Sequence, residues 1–443
     1  MRHLFQILML TAALWGKAHG QQIPVAGFDK CILPYVVSSN FMGTVLVAKE
    51  DKVIYKKSFG NAVKEWNTPN STEGVFHLAS VSKPFTAIAI LQLEERGKLS
   101  VSDRVSRFIP DFVNGDKITI HHLLSHSSGI PNINNFPSYD SMSCFHQTPQ
   151  TLINAFKNKP AEFVPGSKFQ YSNSNYNVLA YIIEKTSGMS YGEYLEKNIF
   201  EIVGMKDTFH NGDPKKITPS MTIGYAGKGR REIEKAPYLN WTIKTGNGSV
   251  CSTVSDLFSF SQALYTEKIL SNASLKKMFT KYLGDTGYGW YIRKDGDEQR
   301  IYMSGLSPGF SSYFARYPDK KLTIIVLANL YIPSTREIGM SLAAVALGRK
   351  LVYRKLLDQT LVPDEIQEFK GDYLMDSTFF RPGYTLKISE KEGRLSCDFG
   401  DLLRDEGDSF LLRSFWSGVV FTRDGERKVN AVVFDGSVGR RIR

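Results

Sequence analysis

Cysteine is scarce in this sequence, and the cysteines are never closely paired. The 443 residues contain four of them and no C-x-x-C pair. This pattern disfavours a metal site, and nothing else in the chain indicates a cofactor. Four cysteines allow three disulfide pairings, and the spacing selects none. We therefore expect most of them to be small buried side chains: Cys31, Cys144, Cys251 and Cys397.

Long hydrophobic runs are also missing. After the N-terminus, no run approaches the ~20 apolar residues that a transmembrane helix needs. Residues 1–20 begin with a positive charge at Arg2, continue with an apolar stretch and end with small residues. This is typical of a cleaved secretory signal. We expect a secreted or periplasmic protein without a membrane span, with a mature chain that starts near Gln21.

The charge is positive but carries no recognition motif. The formal net charge is +11, and the lysines and arginines are scattered along the chain. A basic balance of this kind attracts anionic surfaces, whereas nucleic-acid binding requires a clustered patch or a motif. We expect no nucleic-acid partner, and at most a weak association with an anionic cell envelope.

What the sequence does contain is an S-x-x-K tetrad, Ser80 to Lys83. Residues three apart on a helix share one face, so the lysine can reach the serine hydroxyl. A serine is a weak nucleophile until a neighbouring base takes its proton. A dense apolar run follows, with Pro84 in its first turn. The pattern predicts that Ser80 is a nucleophile at the start of a buried helix, with Lys83 beside it.

A second motif, Tyr171-Ser172-Asn173, precedes another apolar stretch. A phenol beside a lysine can relay a proton, and Asn173 can hydrogen-bond either the lysine or the substrate. The residues alone equally permit a helix cap formed by Ser172 and Asn173.

Together with the segment 118–131 and with Ser304-Gly305-Leu306, these motifs occur in an order that resembles the serine β-lactamase-like superfamily. That group includes class C β-lactamases, D-Ala-D-Ala carboxypeptidases, D-aminopeptidases and carboxylesterases. The resemblance spans roughly residues 35–350. It implies an acyl-enzyme mechanism in which Ser80 attacks, Lys83 and Tyr171 move protons, and backbone N–H groups of Ser80 and Leu306 hold the oxyanion.

One position departs from the family. Its third motif usually begins with lysine or histidine, whereas this chain has Met303-Ser304-Gly305. Loss of that cation weakens the expected recognition of a carboxylate. Arg316 and Arg293 are candidate substitutes, and a buried strand residue is an equally ordinary role for a methionine. His121, His122 and His126, which lie in the segment 118–131, are expected to be structural.

The coarse pattern indicates strands at both ends of the catalytic region and helices from Ser80 to about Ala263. The predicted fold class is α/β (α+β), a β-lactamase/transpeptidase-like antiparallel sheet flanked by helices with an inserted all-α lobe. After Pro363, short strands alternate with turns, as in a small antiparallel β domain that resembles a lipocalin-like barrel. The expected division is signal peptide 1–20, hydrolase domain 21–355 and barrel 363–443. The barrel's role, in substrate gating or in dimerisation, stays open.

Three functions remain. The first is a serine hydrolase acting on an ester or on an amide such as a D-amino-acid peptide, with a small-molecule or peptide acyl substrate. The second is a β-lactamase or D-Ala-D-Ala carboxypeptidase. The third is a catalytically silent envelope-binding or sensor protein, which the intact trio of Ser80, Lys83 and Tyr171 disfavours.

Overall fold

The computed structural model describes residues 25–228, 232–351, 361–379 and 383–443, so the predicted signal segment lies outside the described residues. The α-helices there are α1 (Val25–Val37), α2 (Lys83–Glu95), α3 (Ile120–Leu124), α4 (Tyr139–Ser143), α5 (Pro149–Asn154), α6 (Asn173–Ser187), α7 (Tyr191–Leu195), α8 (Glu201–Val203), α9 (Val254–Ala263), α10 (Asn272–Met278), α11 (Thr335–Ala346) and α12 (Pro363–Phe369).

The strands divide between a catalytic domain and a C-terminal barrel. Those of the catalytic domain are β1 (Gly43–Lys49), β2 (Lys52–Phe59), β3 (Asn61–Val63), β4 (Thr68–Pro69), β5 (Phe76–His77), β6 (Phe209–His210), β7 (Tyr225–Lys228), β8 (Glu232–Lys235), β9 (Val250–Ser252), β10 (Tyr291–Asp295), β11 (Glu298–Ser307), β12 (Phe310–Tyr317), β13 (Leu322–Ala328) and β14 (Leu330–Tyr331). Those of the barrel are β15 (Gly371–Met375), β16 (Thr385–Lys391), β17 (Arg394–Cys397), β18 (Gly400–Glu406), β19 (Ser409–Leu412), β20 (Ser417–Arg423), β21 (Val429–Phe434) and β22 (Ser437–Arg441).

The main sheet joins the two ends of the catalytic region. Its strand order is β10-β11-β12-β13-β1-β2, with every neighbouring pair antiparallel. Successive side chains of a strand point to opposite faces. In β1, Leu46 packs with the helical lobe, whereas Val45 and Val47 pack with α1 and α11. The central strands are therefore apolar on both faces, and the predicted sheet with an inserted lobe is confirmed.

The lobe is less purely helical than the sequence pattern indicates. Two small sheets, β5-β9-β6 and β14-β7-β8, take four of their strands from the stretch between α8 and α9. Their strands are two to four residues long, too short to show a period of alternating hydrophobicity.

Ser80 lies in a short 3₁₀ turn, Ala79–Ser82, and α2 begins only at Lys83. The chain enters this turn from β5 through Ala79, whose φ of +47° is in the left-handed region. A non-glycine residue in that region is strained unless its surroundings hold it in place. The helix therefore starts one turn later than the sequence predicts. Pro84 lies in its first turn, as expected.

The C-terminal domain is a closed antiparallel barrel running from β15 to β22. Its interior is filled by apolar side chains and by the end of α12, where Phe369 contacts the rings of Phe410 and Phe421. This confirms the predicted small β domain. Its apolar positions form a packed core, which is the role expected for a small barrel.

Three further expectations concern membrane spans, metal sites and cysteines. None of the helices within the described ranges is long and apolar enough to cross a bilayer. The same residues contain no cluster of three or more metal-ligating side chains. All four cysteines are free: Cys31 and Cys251 are buried as expected, Cys397 is partly exposed, and Cys144 is exposed.

Candidate active site

Ser80, Lys83 and Tyr171 come together at the junction of the lobe and the main sheet. The Ser80 Oγ lies 2.7 Å from the Tyr171 hydroxyl and 3.1 Å from the Lys83 Nζ. Lys83 and Ser80 approach because they are three residues apart, whereas Tyr171 arrives from the segment before α6. The two sequence motifs therefore meet around one hydroxyl group.

Lys83 is fully buried within α2, whose residues from Lys83 to Leu93 are all buried. Its Nζ lies 2.9 Å from the Asn173 Oδ1 and 2.8 Å from the Asn247 carbonyl oxygen, and it donates hydrogen bonds to both. Burial, and secondarily the positive charge of Lys244, lower the Lys83 pKa well below its usual value. Since desolvation penalises the charged form, a neutral amine is favoured beside the serine.

The pKa of Tyr171 shifts in the opposite direction to that of Lys83. Burial raises the Tyr171 pKa far above its ordinary value, and this effect outweighs the hydrogen bond between Tyr171 and Ser80, which lowers the pKa. The phenol therefore stays protonated. The His126 ring packs against the Tyr171 ring in a tilted arrangement, 4.4 Å between centroids, and the His126 Nδ1 accepts a hydrogen bond from the Ser172 backbone N–H at 3.3 Å. Of the three histidines expected to be structural, this one holds Tyr171 in position.

Asn173 connects the lysine to the loop that follows the segment 118–131. Its side-chain Nδ2 donates to the Asn134 Oδ1 at 2.7 Å, and its backbone N–H donates to the Asn132 Oδ1 at 3.1 Å. These contacts orient the amide so that its oxygen faces Lys83. Asn173 is also the first residue of α6, but Ser172 forms no side-chain cap there. The capping alternative therefore does not describe this turn.

Strand β11 lies directly against the turn that carries Ser80. At Gly305, an added Cβ would lie 2.3 Å from the Leu78 carbonyl oxygen and 2.9 Å from the Ser80 nitrogen. Ser312, paired with Gly305 in the sheet, donates from its Oγ to the same Leu78 oxygen at 2.6 Å. The strand can approach this closely only because residue 305 lacks a side chain.

Met303 lies on β11, is only 3% exposed, and packs in the core while also lining the cleft. Neither cation considered as its substitute lines the cleft. Arg316 is on the lobe-facing side of the sheet but is buried against α9, where its Nε donates to the Ser261 Oγ at 3.1 Å. Arg293 lies 3.6 Å from Asp285 in an ion pair. A different arginine, Arg336 of α11, is exposed to the cleft.

Lys244 is a residue that the sequence analysis missed. It belongs to the string Lys244-Thr245-Gly246, which is the K-T-G form usual for the third motif, yet it lies in a turn beneath Lys83 rather than on β11. Its Nζ lies 5.2 Å from the Tyr139 ring, and burial lowers its pKa to about 8. The triplet itself was the signal that could have drawn attention to this position.

The cleft above Ser80 has a volume of about 1300 Å³. One side holds Ser80, Tyr171, Asn173 and the stretch 303–306 of β11, so the candidate residues line a single space. Lys83 lies beneath this surface rather than on it. The remaining sides come from α11 and, unexpectedly, from the barrel.

This fold, with a buried lysine and a tyrosine flanking one serine, defines the class as a serine hydrolase. A family model described as Beta-lactamase matches residues 28–347, and the chain belongs to that family. A relative at 36% identity, Penicillin-binding protein 4* of Bacillus subtilis (strain 168), aligns over 91% of this chain and 95% of its own length.

Solved structures agree with this assignment. The octameric penicillin-binding protein homologue from Pyrococcus abyssi superposes with a TM-score of 0.66 at 25% identity, over 94% of this chain and 99% of its own. A D-stereospecific amidohydrolase from Streptomyces sp. superposes at 0.64 and 21% identity, over 73% of this chain and 99% of its own. The latter shares the fold with the catalytic part.

Proposed function

We propose that this chain is a secreted or periplasmic hydrolase that forms an acyl-enzyme on Ser80 and hydrolyses an ester or a D-amino-acid peptide-like amide. The observation that carries the proposal is the environment of Lys83. A buried lysine with two carbonyl acceptors and a serine hydroxyl as its polar neighbours is arranged to be a base. The signal-like pattern of residues 1–20 supports export.

In the first step, the Ser80 oxygen attacks the acyl carbon and its proton passes to Lys83. A neutral amine has two N–H bonds and one lone pair. With its N–H bonds directed to the Asn173 Oδ1 and the Asn247 oxygen, the lone pair is left to face the Ser80 hydroxyl. Lys83 is thus the base in acylation, and its low pKa keeps the lone pair available.

Tyr171 transfers the proton to the leaving group. Because its pKa is raised, the phenol is a poor base but remains a proton donor and acceptor at neutral pH. As Tyr171 gives its proton to the departing oxygen or nitrogen, Lys83 passes to Tyr171 the proton that it took from Ser80, so both groups end acylation in their starting protonation states. Water then attacks the acyl carbon and gives one proton to these groups, which pass it to the Ser80 oxygen as the bond between that oxygen and the acyl carbon breaks.

The developing negative charge on the acyl oxygen needs backbone donors. The N–H groups of Ser80 and Leu306 are assigned this role because the close packing of Gly305 against the Ser80 nitrogen brings the two segments side by side. Donors of this type contribute roughly 10²–10³ in rate each.

Intact-mass spectrometry of the native chain and Ser80→Ala tests the proposal, with a fluorophosphonate, p-nitrophenyl acetate and benzylpenicillin as probes. We expect an adduct on the native chain that the variant lacks. A folded native chain that stays unlabelled by all three probes contradicts the proposal and favours the non-catalytic binder. Circular dichroism of both proteins excludes unfolding as the cause.

A second candidate, a β-lactamase or D-Ala-D-Ala carboxypeptidase, is favoured by Arg336. Its guanidinium lies in the Ser80 cleft, 5.9 Å from the Tyr302 ring, where a substrate carboxylate can meet it. The name of the Bacillus subtilis relative points the same way. For this function, Arg336→Ala must slow labelling by benzylpenicillin at least tenfold while leaving acylation by p-nitrophenyl acetate unchanged. Equal rates in the variant and the native chain favour the first function.

A further inference from the structure

The cleft is longer than the reacting centre requires. One face of α11 forms its floor, with Thr335, Arg336, Met340 and Ala344 among the lining residues. Since a helix rises ~1.5 Å per residue, this face extends for about 14 Å. An extended chain of about four residues has the same length. The volume of about 1300 Å³ also exceeds that of most small-molecule pockets, roughly 300–1,000 Å³.

The barrel supplies the opposite wall. Phe415, Trp416 and Ser417, from the turn between β19 and β20, line the same cleft as Ser80. The Phe415 ring is 44% exposed, so it presents an aromatic surface to the cleft, whereas the Trp416 ring is almost completely buried. Asp405 and Glu406 of β18 extend this wall. A substrate lying on α11 therefore faces the barrel.

The turn is held firmly on the catalytic domain. Arg413, only 3% exposed, donates from its Nε to the Asn40 Oδ1 and from a terminal nitrogen to the Ser39 carbonyl oxygen, each at 2.7 Å. The Trp416 ring lies 5.5 Å from the ring of Tyr35. The Tyr35 hydroxyl in turn donates to a Glu337 carboxylate oxygen at 3.3 Å, which links the barrel turn to α11.

The backbone of Trp416 shows that this placement is enforced. Its φ of +53° is in the left-handed region, which a bulky residue adopts only when its surroundings over-determine it. No described residue accepts a hydrogen bond from its buried indole N–H. The arrangement that places these rings beside the cleft therefore includes both a strained backbone and an unsatisfied hydrogen-bond donor.

We propose that the barrel turn 413–417 is the substrate-selecting wall of an extended cleft, in which a peptide-like chain of about four residues lies along α11. This rests on the proposed hydrolase function and adds the length and shape of the substrate. The wall acts on the part of the substrate distant from the scissile bond, so small esters do not sense it.

The experiment measures competitive inhibition of p-nitrophenyl acetate hydrolysis by N-acetylated alanine oligomers of one to six residues, in all-D and all-L series. In the native chain, Ki should fall at least tenfold between one and four residues in one series and then level off. Phe415→Ala and Trp416→Ala should each lose at least fivefold of this gain, taken as the ratio of the one-residue Ki to the four-residue Ki of the same variant. Trp66→Ala, which removes a tryptophan that is 83% exposed and outside the cleft, is the matched control.

Inhibition independent of length in both series, or a length dependence that both variants retain, overturns the inference. If Trp416→Ala unfolds, as judged by its melting temperature, the comparison is made with Phe415→Ala alone, because Phe415 is half-exposed. If the native chain does not hydrolyse the acetate and is labelled by none of the three acylating probes, the proposed function fails. Calorimetric titration of the four-residue oligomers into the native chain and Phe415→Ala then still decides whether the extended cleft exists.

Discussion

Lys244 is buried near enough to Lys83 for its charge to lower the pKa of the Lys83 ammonium. Two buried lysines in one site are unusual because each charged form pays a desolvation cost. Like charges disfavour each other's protonated form, so Lys244 enlarges the neutral fraction of Lys83, which favours the proposed role of Lys83 as a base.

Replacing Lys244 by methionine should therefore move the acid limb of the kcat/KM profile to higher pH. The change removes the positive charge that opposes protonation of Lys83, so the Lys83 pKa rises and a higher pH is needed to free its lone pair. The measurement is kcat/KM for p-nitrophenyl acetate between pH 5 and 10. Lys244→Arg, which keeps a charge, should leave the limb near its native position or move it lower. If the acid limb of the kcat/KM profile stays at the same pH in Lys244→Met, the two lysines are not coupled.

The variant Lys83→Arg tests whether Lys83 acts as a base or only as a positive charge. Arginine keeps the positive charge but is not deprotonated in proteins, so kcat should fall by about 10²–10⁴, the usual contribution of a general base. Steady-state kinetics at pH 8 gives the value. The buried Lys244→Arg variant controls for the bulk of the new side chain. Near-native turnover in Lys83→Arg would leave Tyr171 as the base.

Gly305→Ala should inactivate the enzyme without unfolding it. The new Cβ would lie 2.3 Å from the Leu78 oxygen and 2.9 Å from the Ser80 nitrogen, so β11 must move away from the serine turn. Displacing one oxyanion donor predicts a loss of about 10²–10³ in kcat. The control is Gly425→Ala, where an added Cβ meets no atom within 4 Å. Native kcat in Gly305→Ala would exclude β11 as part of the oxyanion site.

Arg413→Ala should loosen the barrel. The change leaves the Asn40 Oδ1 and the Ser39 oxygen without their charged donor, at a cost of about 1.5–3 kcal/mol for each hydrogen bond. We expect residues 361–443 to unfold at a lower temperature in the variant than in the native chain. Calorimetry measures this transition. Arg440→Ala is the comparison, since Arg440 is an exposed arginine of the barrel strand β22. Identical melting curves for the two variants would contradict the anchoring role.

Much of the reacting centre is predictable because its signals are local. Ser80 and Lys83 are one helical turn apart, and Tyr171 and Asn173 precede an apolar helix, so short strings of residues reveal them. The six-stranded sheet follows from strands that are apolar on both faces at the two ends of the catalytic region.

The residues that surround this centre were not predictable in the same way. Lys244 affects Lys83 from 161 positions away, and Arg336 enters the cleft only because α11 packs back on the sheet. Arg316 and Arg293 were plausible cations, but Arg316 is held at α9 by its hydrogen bond to Ser261, and Arg293 is held by the Asp285 carboxylate. The left-handed Ala79 delays the helix start by a turn that no propensity scale records.

The turn that contains Arg413 and Trp416 both fastens one domain to the other and lines the cleft. Mutations that would reshape the far end of the cleft therefore weaken the joint between the domains. Change in substrate preference by this route is coupled to assembly of the whole chain, so new specificities should arise more readily at the α11 positions that line the cleft without taking part in the Glu337–Tyr35 contact.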